Sequence, residues 1–193
     1  LKRTFSGQPD NVLRPIRKVI QGSIDKFPFE GVLDELKTTS KSMKFDVAEL
    51  DGLMAYHYDQ PYTFSVLTFL YPWLKYDQQF HVDHIFPRAM FTAKELKKRN
   101  IPQEDWPLWL EHYNDLANLQ LLQGPVNIAK SDEAFETWLG KEFPTPDKLA
   151  AYKKLHYVPD VSLKFEDFPV FLEEREKILR ARLAIVLDVQ ISE

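Results

Sequence analysis

The chain of 193 residues contains no cysteine. That absence excludes a disulfide scaffold and any cysteine-ligated zinc, and it fits a cytoplasmic protein. No uncharged apolar run reaches the roughly 18 residues that a membrane span requires. The best candidate, PYTFSVLTFLYPWL (61–74), is shorter and carries prolines and threonines, so it reads as a buried helix. Leu1-Lys2-Arg3 shows no signal-peptide pattern, and the chain does not open with methionine, which points to a portion of something longer. A basic surplus is also missing. The net charge is −4 and the pI about 5.8, so a nucleic-acid partner would need a local basic patch rather than a uniformly basic surface. Arg88, Lys94, Lys97, Lys98 and Arg99 form one such cluster, with Glu95 the only acid among them; the competing reading is a solvated helix face.

The 44% hydrophobic and 13% aromatic residues suit one folded domain, or one domain with an appendage. Most of the pattern is helical. Leu13, Ile16, Ile20 and Ile24 recur at helical spacing, which places Pro15 in a first turn. Val47, Leu50, Leu53 and Met54 form a second amphipathic segment, and Pro61 is placed in the first turn of the apolar helix that follows. Thr92-Ala93-Lys94-Glu95 matches a capping box, and that helix must end near Asn100 because Ile101 precedes Pro102. Pro125 and Ser131-Asp132-Glu133 mark two helix starts, Thr145-Pro146-Asp147 a third, and a long helix spans 168–187. Trp106, Trp109, Leu110 and Tyr113 share a helical stripe that reads as core rather than as a base-stacking platform. Two segments look like strands: QQFHVDHIF (78–86) and ANLQLLQG (117–124).

Chemistry concentrates in HVDHIFP (81–87), which holds two of the 5 histidines. A zinc-protease reading fails, because that motif needs glutamate after the first histidine and i, i+4 spacing on a helix. On a strand, His81 and Asp83 share one face and His84 takes the other. A carboxylate beside an imidazole can support hydrolysis: the hard aspartate oxygen suits a divalent cation such as Mg²⁺, and neutral histidine takes a proton from water.

DHIFP (83–87), ANLQLL (117–122) and VNIAK (126–130) resemble the His-Asn-His (HNH) endonucleases, whose two strands and one helix clamp a single metal in the ββα-metal fold. The likeness is closest to the C-terminal nuclease domain of GmrSD-type, modification-dependent restriction and phage-defence proteins, and it extends over YTFSVLTFLYPWLKYDQQF, covering roughly 50–140. It implies that His84 is the general base and that Asp83 and Asn127 bind one Mg or Mn ion. It also implies that Asn118 ties down the loop so that its backbone carbonyl orients the imidazole, and that Asp83 and His84 reach one site where the strand breaks before Pro87. Lys130, three residues after Asn127, would reach a phosphate, with Lys97 and Lys98 as further phosphate contacts. His81 either supports a metal ligand from behind or is a plain strand residue. In isolation Asn118 could be a turn asparagine and Asn127 a helix cap; His57, His112 and His156 have no motif around them. Many such domains carry zinc-binding cysteine pairs, and this chain would replace them with flanking helices.

The resulting expectation is a mainly α-helical α+β chain: a helical segment (1–75), the ββα-metal motif with a helical insertion (76–142) and a C-terminal helical segment (143–193). Its activity would be divalent-metal-dependent hydrolysis of DNA phosphodiesters, with no membrane partner and with a further N-terminal, nucleotide-binding domain in the whole protein. The alternative is a helical interaction module in which the nuclease motif serves only packing.

Overall fold

The computed structural model describes residues 7–37, 42–75 and 77–191, so Leu1-Lys2-Arg3 and Tyr76 lie outside the described residues. Helices dominate, and the only sheet among those residues is an antiparallel pair of strands. Helix α1 (Pro9–Gln21) starts earlier than the apolar spacing implies. Pro9 takes the first helical position, where a missing N–H costs nothing, and Pro15 falls inside the helix instead of in its first turn. Ile24 lies beyond the helix end and is 95% exposed. Helix α2 (Phe29–Lys37) packs back on α1 through Ile16, Val32 and Leu36.

Helix α3 (Val47–Met54) opens with a reciprocal capping box, the Asp46 carboxylate accepting from Glu49 N–H and the Glu49 carboxylate accepting from Asp46 N–H. The apolar run becomes α4 (Thr63–Leu70), with Pro61 two residues ahead of it rather than in its first turn. Val66, Leu67 and Leu70 are fully buried, as an uncharged helix requires.

Strand β1 (Phe80–His84) then pairs with β2 (Leu119–Gln123) in the register His84↔Leu119 through Phe80↔Gln123. Between them run α5 (Ala93–Lys98), capped by Thr92, and α6 (Trp106–His112). Helix α7 (Gly124–Lys130) follows β2 directly and lies against both strands, completing a ββα unit. Ser131 does not start the next helix; it ends α7 with φ at 46°, and α8 begins later (Phe135–Glu142). Helices α9 (Pro146–Leu155) and α10 (Phe168–Leu187) match their sequence signals.

Two apolar clusters hold these elements. One gathers Ile85, Phe86, Phe91, Phe135, Phe168 and Phe171; the other gathers Leu50, Leu67, Leu70, Leu119, Leu121, Leu179 and Leu183. The second draws on residues before, within and after 76–142, and the first on residues within and after it, so the three segments share their cores. Trp109 belongs to the first cluster, while Leu110 of the same stripe is 38% exposed. At the junction Arg175 of α10 is fully buried and donates to the carbonyls of Ala117 and His156, at 2.7 and 3.0 Å. Among the described residues no carboxylate pairs with it; the two carbonyls receive its charge and tie the approach to β2 onto the long helix.

Candidate active site

The strand alternation at HVDH is kept. Strand β1 stays regular through His84, so Asp83 and His84 leave it on opposite faces. Asp83 faces α7 and accepts at one oxygen, Oδ2, from Gln120 Nε2 (2.9 Å) and Lys130 Nζ (2.9 Å). His84 faces the other way, among Tyr58, Tyr113 and Asn114. The expected strand break that would bring both side chains to one face is absent, because His84 still pairs with Leu119.

Lys130 is correspondingly not a phosphate ligand. It is 1% exposed, and its ammonium donates to the His84 carbonyl at 2.5 Å as well as pairing with Asp83. Burial pulls its pKa down, and Asp83 opposes that pull. Gln120, itself buried, accepts from Tyr152 Oη at 2.6 Å. A polar chain therefore runs from Tyr152 of α9 through Gln120 of β2 to Asp83 of β1 and Lys130 of α7.

The imidazole of His84 is 7% exposed, with the Tyr58 ring 4.4 Å away. Its Nε2 meets Asn114 Oδ1 at 2.9 Å; with a carbonyl oxygen facing it, Nε2 carries the hydrogen and Nδ1 keeps the lone pair. Burial lowers the pKa below the ordinary histidine value, the Asn114 bond and Asp83 raise it, and the nearby charges of Lys130 and Arg88 lower it further. The ring is thus neutral and able to accept a proton at neutral pH. Arg88, exposed just after Pro87, is close enough to be felt by the ring.

Asn118 does tie down the loop, but through other atoms than expected. Fully buried, it accepts Phe86 N–H at Oδ1 (2.9 Å) and donates to Tyr113 O (2.7 Å), while its own carbonyl takes Ile85 N–H (2.7 Å) and not the imidazole. The imidazole is oriented by Asn114, four residues upstream, which the sequence reading missed; nothing in EHYNDLAN marks it apart from Asn118. Also missed was Asp115, whose Oδ2 is hydrogen-bonded to His112 Nδ1 at 2.7 Å and whose Oδ1 lies 3.0 Å from His57 Nδ1 without a hydrogen bond. His81 is half-buried over the start of α7, where a Cβ on Gly124 would come within 3.5 Å of its Nε2. Lys97 and Lys98 are exposed in the last turn of α5, Lys98 3.7 Å from Glu95.

No group of three or more histidine, aspartate and glutamate side chains able to hold a metal exists among the described residues. The donor set left at Asp83 and Asn127 is small but hard: Asp83 Oδ1 has no protein partner among those residues, and the Asn127 carboxamide is half-buried on α7. Carboxylate and carboxamide oxygens of this kind would suit a hard cation such as Mg²⁺, which keeps most of its water. No family model matches the chain, and no curated protein does.

Proposed function

We propose that the chain is a DNA endonuclease of the HNH kind, hydrolysing phosphodiesters with one divalent ion. We assign it to a modification-dependent restriction or phage-defence protein that works in the cytoplasm with an N-terminal nucleotide-binding domain. The observation that carries this reading is the neutral His84, held through Nε2 by Asn114 so that Nδ1 is the free proton acceptor, at the end of the first strand of a ββα unit. In this reading Nδ1 takes a proton from water, and the resulting hydroxide attacks phosphorus. The bond to the departing oxygen breaks, and that oxygen is reprotonated from solvent. Arg88 holds the phosphate by charge. Asp83 and Asn127 would hold the ion, which would supply positive charge to the phosphate oxygens; for that ion and His84 to serve one phosphate, the strand end at 83–84 has to open from the register His84↔Leu119. Asn118 keeps residues 85–86 fixed and acts on the base only through that loop.

A plasmid-nicking assay with and without Mg²⁺ or Mn²⁺ tests this. His84→Ala should lose about 10²–10⁴-fold in rate, and Asn114→Ala about 10–100-fold as the ring loses its orientation. Mn²⁺ titration by calorimetry should show weaker binding for Asp83→Ala and for Asn127→Ala but not for His84→Ala. A His84→Ala protein that cuts at the wild-type rate sinks the assignment.

A specific observation favours the second reading, a silent interaction module: Lys130 already neutralises Asp83, and Tyr58 covers His84. On that reading the wild-type chain cuts nothing with either metal, yet Lys130 variants still unfold it.

A further inference from the structure

A cavity of about 650 Å³ opens between the turn after α4, the paired strands and helices α7 to α9. That volume suits a small organic molecule. Trp73, Phe80, Phe143 and Leu155 supply apolar walls, and the buried polar members of the lining are Tyr152 and His156 of α9, 5% and 6% exposed. Glu142 and Lys148, both exposed, place opposite charges on the lining nearer solvent, so that part carries no net charge.

The buried part offers one free hydrogen. Tyr152 Oη already donates to Gln120. His156 Nδ1 lies 3.4 Å from Tyr71 Oη. Tyr71 is a protonated phenol, burial pushing its pKa up to about 12, and Arg175 and the Leu121 N–H both offer hydrogens to its oxygen. The phenol's own hydrogen is left for His156 Nδ1, so Nε2 carries the hydrogen of the ring. Nε2 makes no hydrogen bond among the described residues, and it is not sealed from solvent, because the ring lines the cavity.

A positive charge stands behind that ring. Arg175 is fully buried, donates to the His156 carbonyl at 3.0 Å, and leaves its own Nε without a partner. Its charge reaches the imidazole: burial first, and then Arg175, lower the His156 pKa to about 3, so the ring stays neutral and adds no charge of its own. A donor N–H backed by a charge that no carboxylate among the described residues pairs with is where an anion gains most, since water screens little there. A cation would be repelled, and an uncharged apolar molecule would leave both the N–H and the charge unanswered.

We propose that this cavity binds an aromatic monocarboxylate, its carboxylate accepting from His156 Nε2 in front of Arg175 and its rings lying against Trp73, Phe80 and Phe143. One negative charge meets one buried guanidinium, and a flat ring system replaces water on aromatic walls. A second carboxylate on the ligand would be stranded among those walls.

Calorimetric titration of the full chain with naphthalene-2-carboxylate at pH 7 tests this. The wild type should take up one molecule per chain. Naphthalene-2-carboxamide, of the same shape without the charge, should bind at least about tenfold more weakly, because a charged acceptor makes the stronger hydrogen bond. His156→Phe keeps a ring beside Tyr152 but lacks the donor, and should weaken the carboxylate by at least about tenfold. Ala151→Trp changes an exposed residue of the lining, which leaves the core intact while filling the cavity, and should abolish binding. In the wild type the nuclear magnetic resonance of the His156 Nε2 hydrogen should move as the carboxylate is added. A wild type that binds no carboxylate overturns the proposal, as does a carboxamide that binds as tightly or an Ala151→Trp chain that binds like the wild type.

Discussion

At the scale of single residues the site is governed by which charges are already satisfied. Asp83 and Lys130 are a buried ion pair, their side chains 12% and 0% exposed, and Lys130 also holds the His84 carbonyl. Removing one member of such a pair strands the other in a poor solvent. Lys130→Ala should therefore destabilise the fold by about 3–5 kcal/mol, read as a shift in urea midpoint. Combining Lys130→Met with Asp83→Asn should recover much of that loss, since neither residue then carries a charge and Gln120 keeps an acceptor. If Lys130→Ala melts like the wild type, the pair contributes nothing and the ammonium is free for another role, as the sequence spacing implied. That spacing placed Lys130 correctly on the Asn127 helix, but a sequence cannot show that a lysine turns inward to meet a carboxylate on the neighbouring strand. Lys130 and Asn114 fail to stand out for the same reason: their roles come from partners 47 and 30 positions away in the chain.

At the scale of elements, local chemistry was legible and its consequences in space were not. The strands at 80–84 and 119–123, the Thr92-capped helix, and the helices from Pro146 and Phe168 follow from caps, prolines and periodicity. The Ser131 signal was outweighed because that residue ends α7 in a left-handed turn and the chain needs further residues before α8. His156, which no motif marks, turns out to cap α9 beneath the long helix. It is buried and stacked on Tyr152 at 4.3 Å, with Tyr71 Oη 3.4 Å from Nδ1. Burial, reinforced by Arg175, lowers its pKa from 6.5 to about 3. The unfolded chain therefore binds a proton between those values that the folded chain refuses. Stability is complete above about pH 6.5 and falls by about 1.4 kcal/mol per pH unit below it, until the folded group titrates near 3. Urea unfolding at pH 7, 5 and 4 should show that slope, and His156→Gln should remove close to one proton of it. An equal slope in both proteins would mean that the ring is already protonated or solvated in the folded state.

For the whole molecule the open question is how an acidic chain, at net charge −4, would hold DNA. The sequence offers one basic cluster, and the structure divides it. Arg99 is committed elsewhere, 3.7 Å from Glu95 and 3.8 Å from Glu166, with its guanidinium 5.1 Å over the Phe165 ring, so it fastens α5 to the core. Arg88, Lys94, Lys97 and Lys98 remain exposed, and among the described residues their one ion pair is a 3.7 Å surface contact between Lys98 and Glu95. Each phosphate contact releases condensed counterions and contributes about −0.9 to the slope of log affinity against log salt on duplex DNA. Lys97→Glu with Lys98→Glu should accordingly flatten the slope by roughly two units, and Arg88→Gln by roughly one, while Arg99→Gln lowers thermal stability and leaves the slope alone. Fluorescence anisotropy on a labelled duplex across salt concentrations measures all three. The Arg99 variant separates DNA contact from general damage, because a slope that falls equally in every variant would report a loosened α5. Should the slope ignore Lys97 and Lys98 altogether, α5 presents a solvated face and the DNA-holding charge lies on another part of the whole protein.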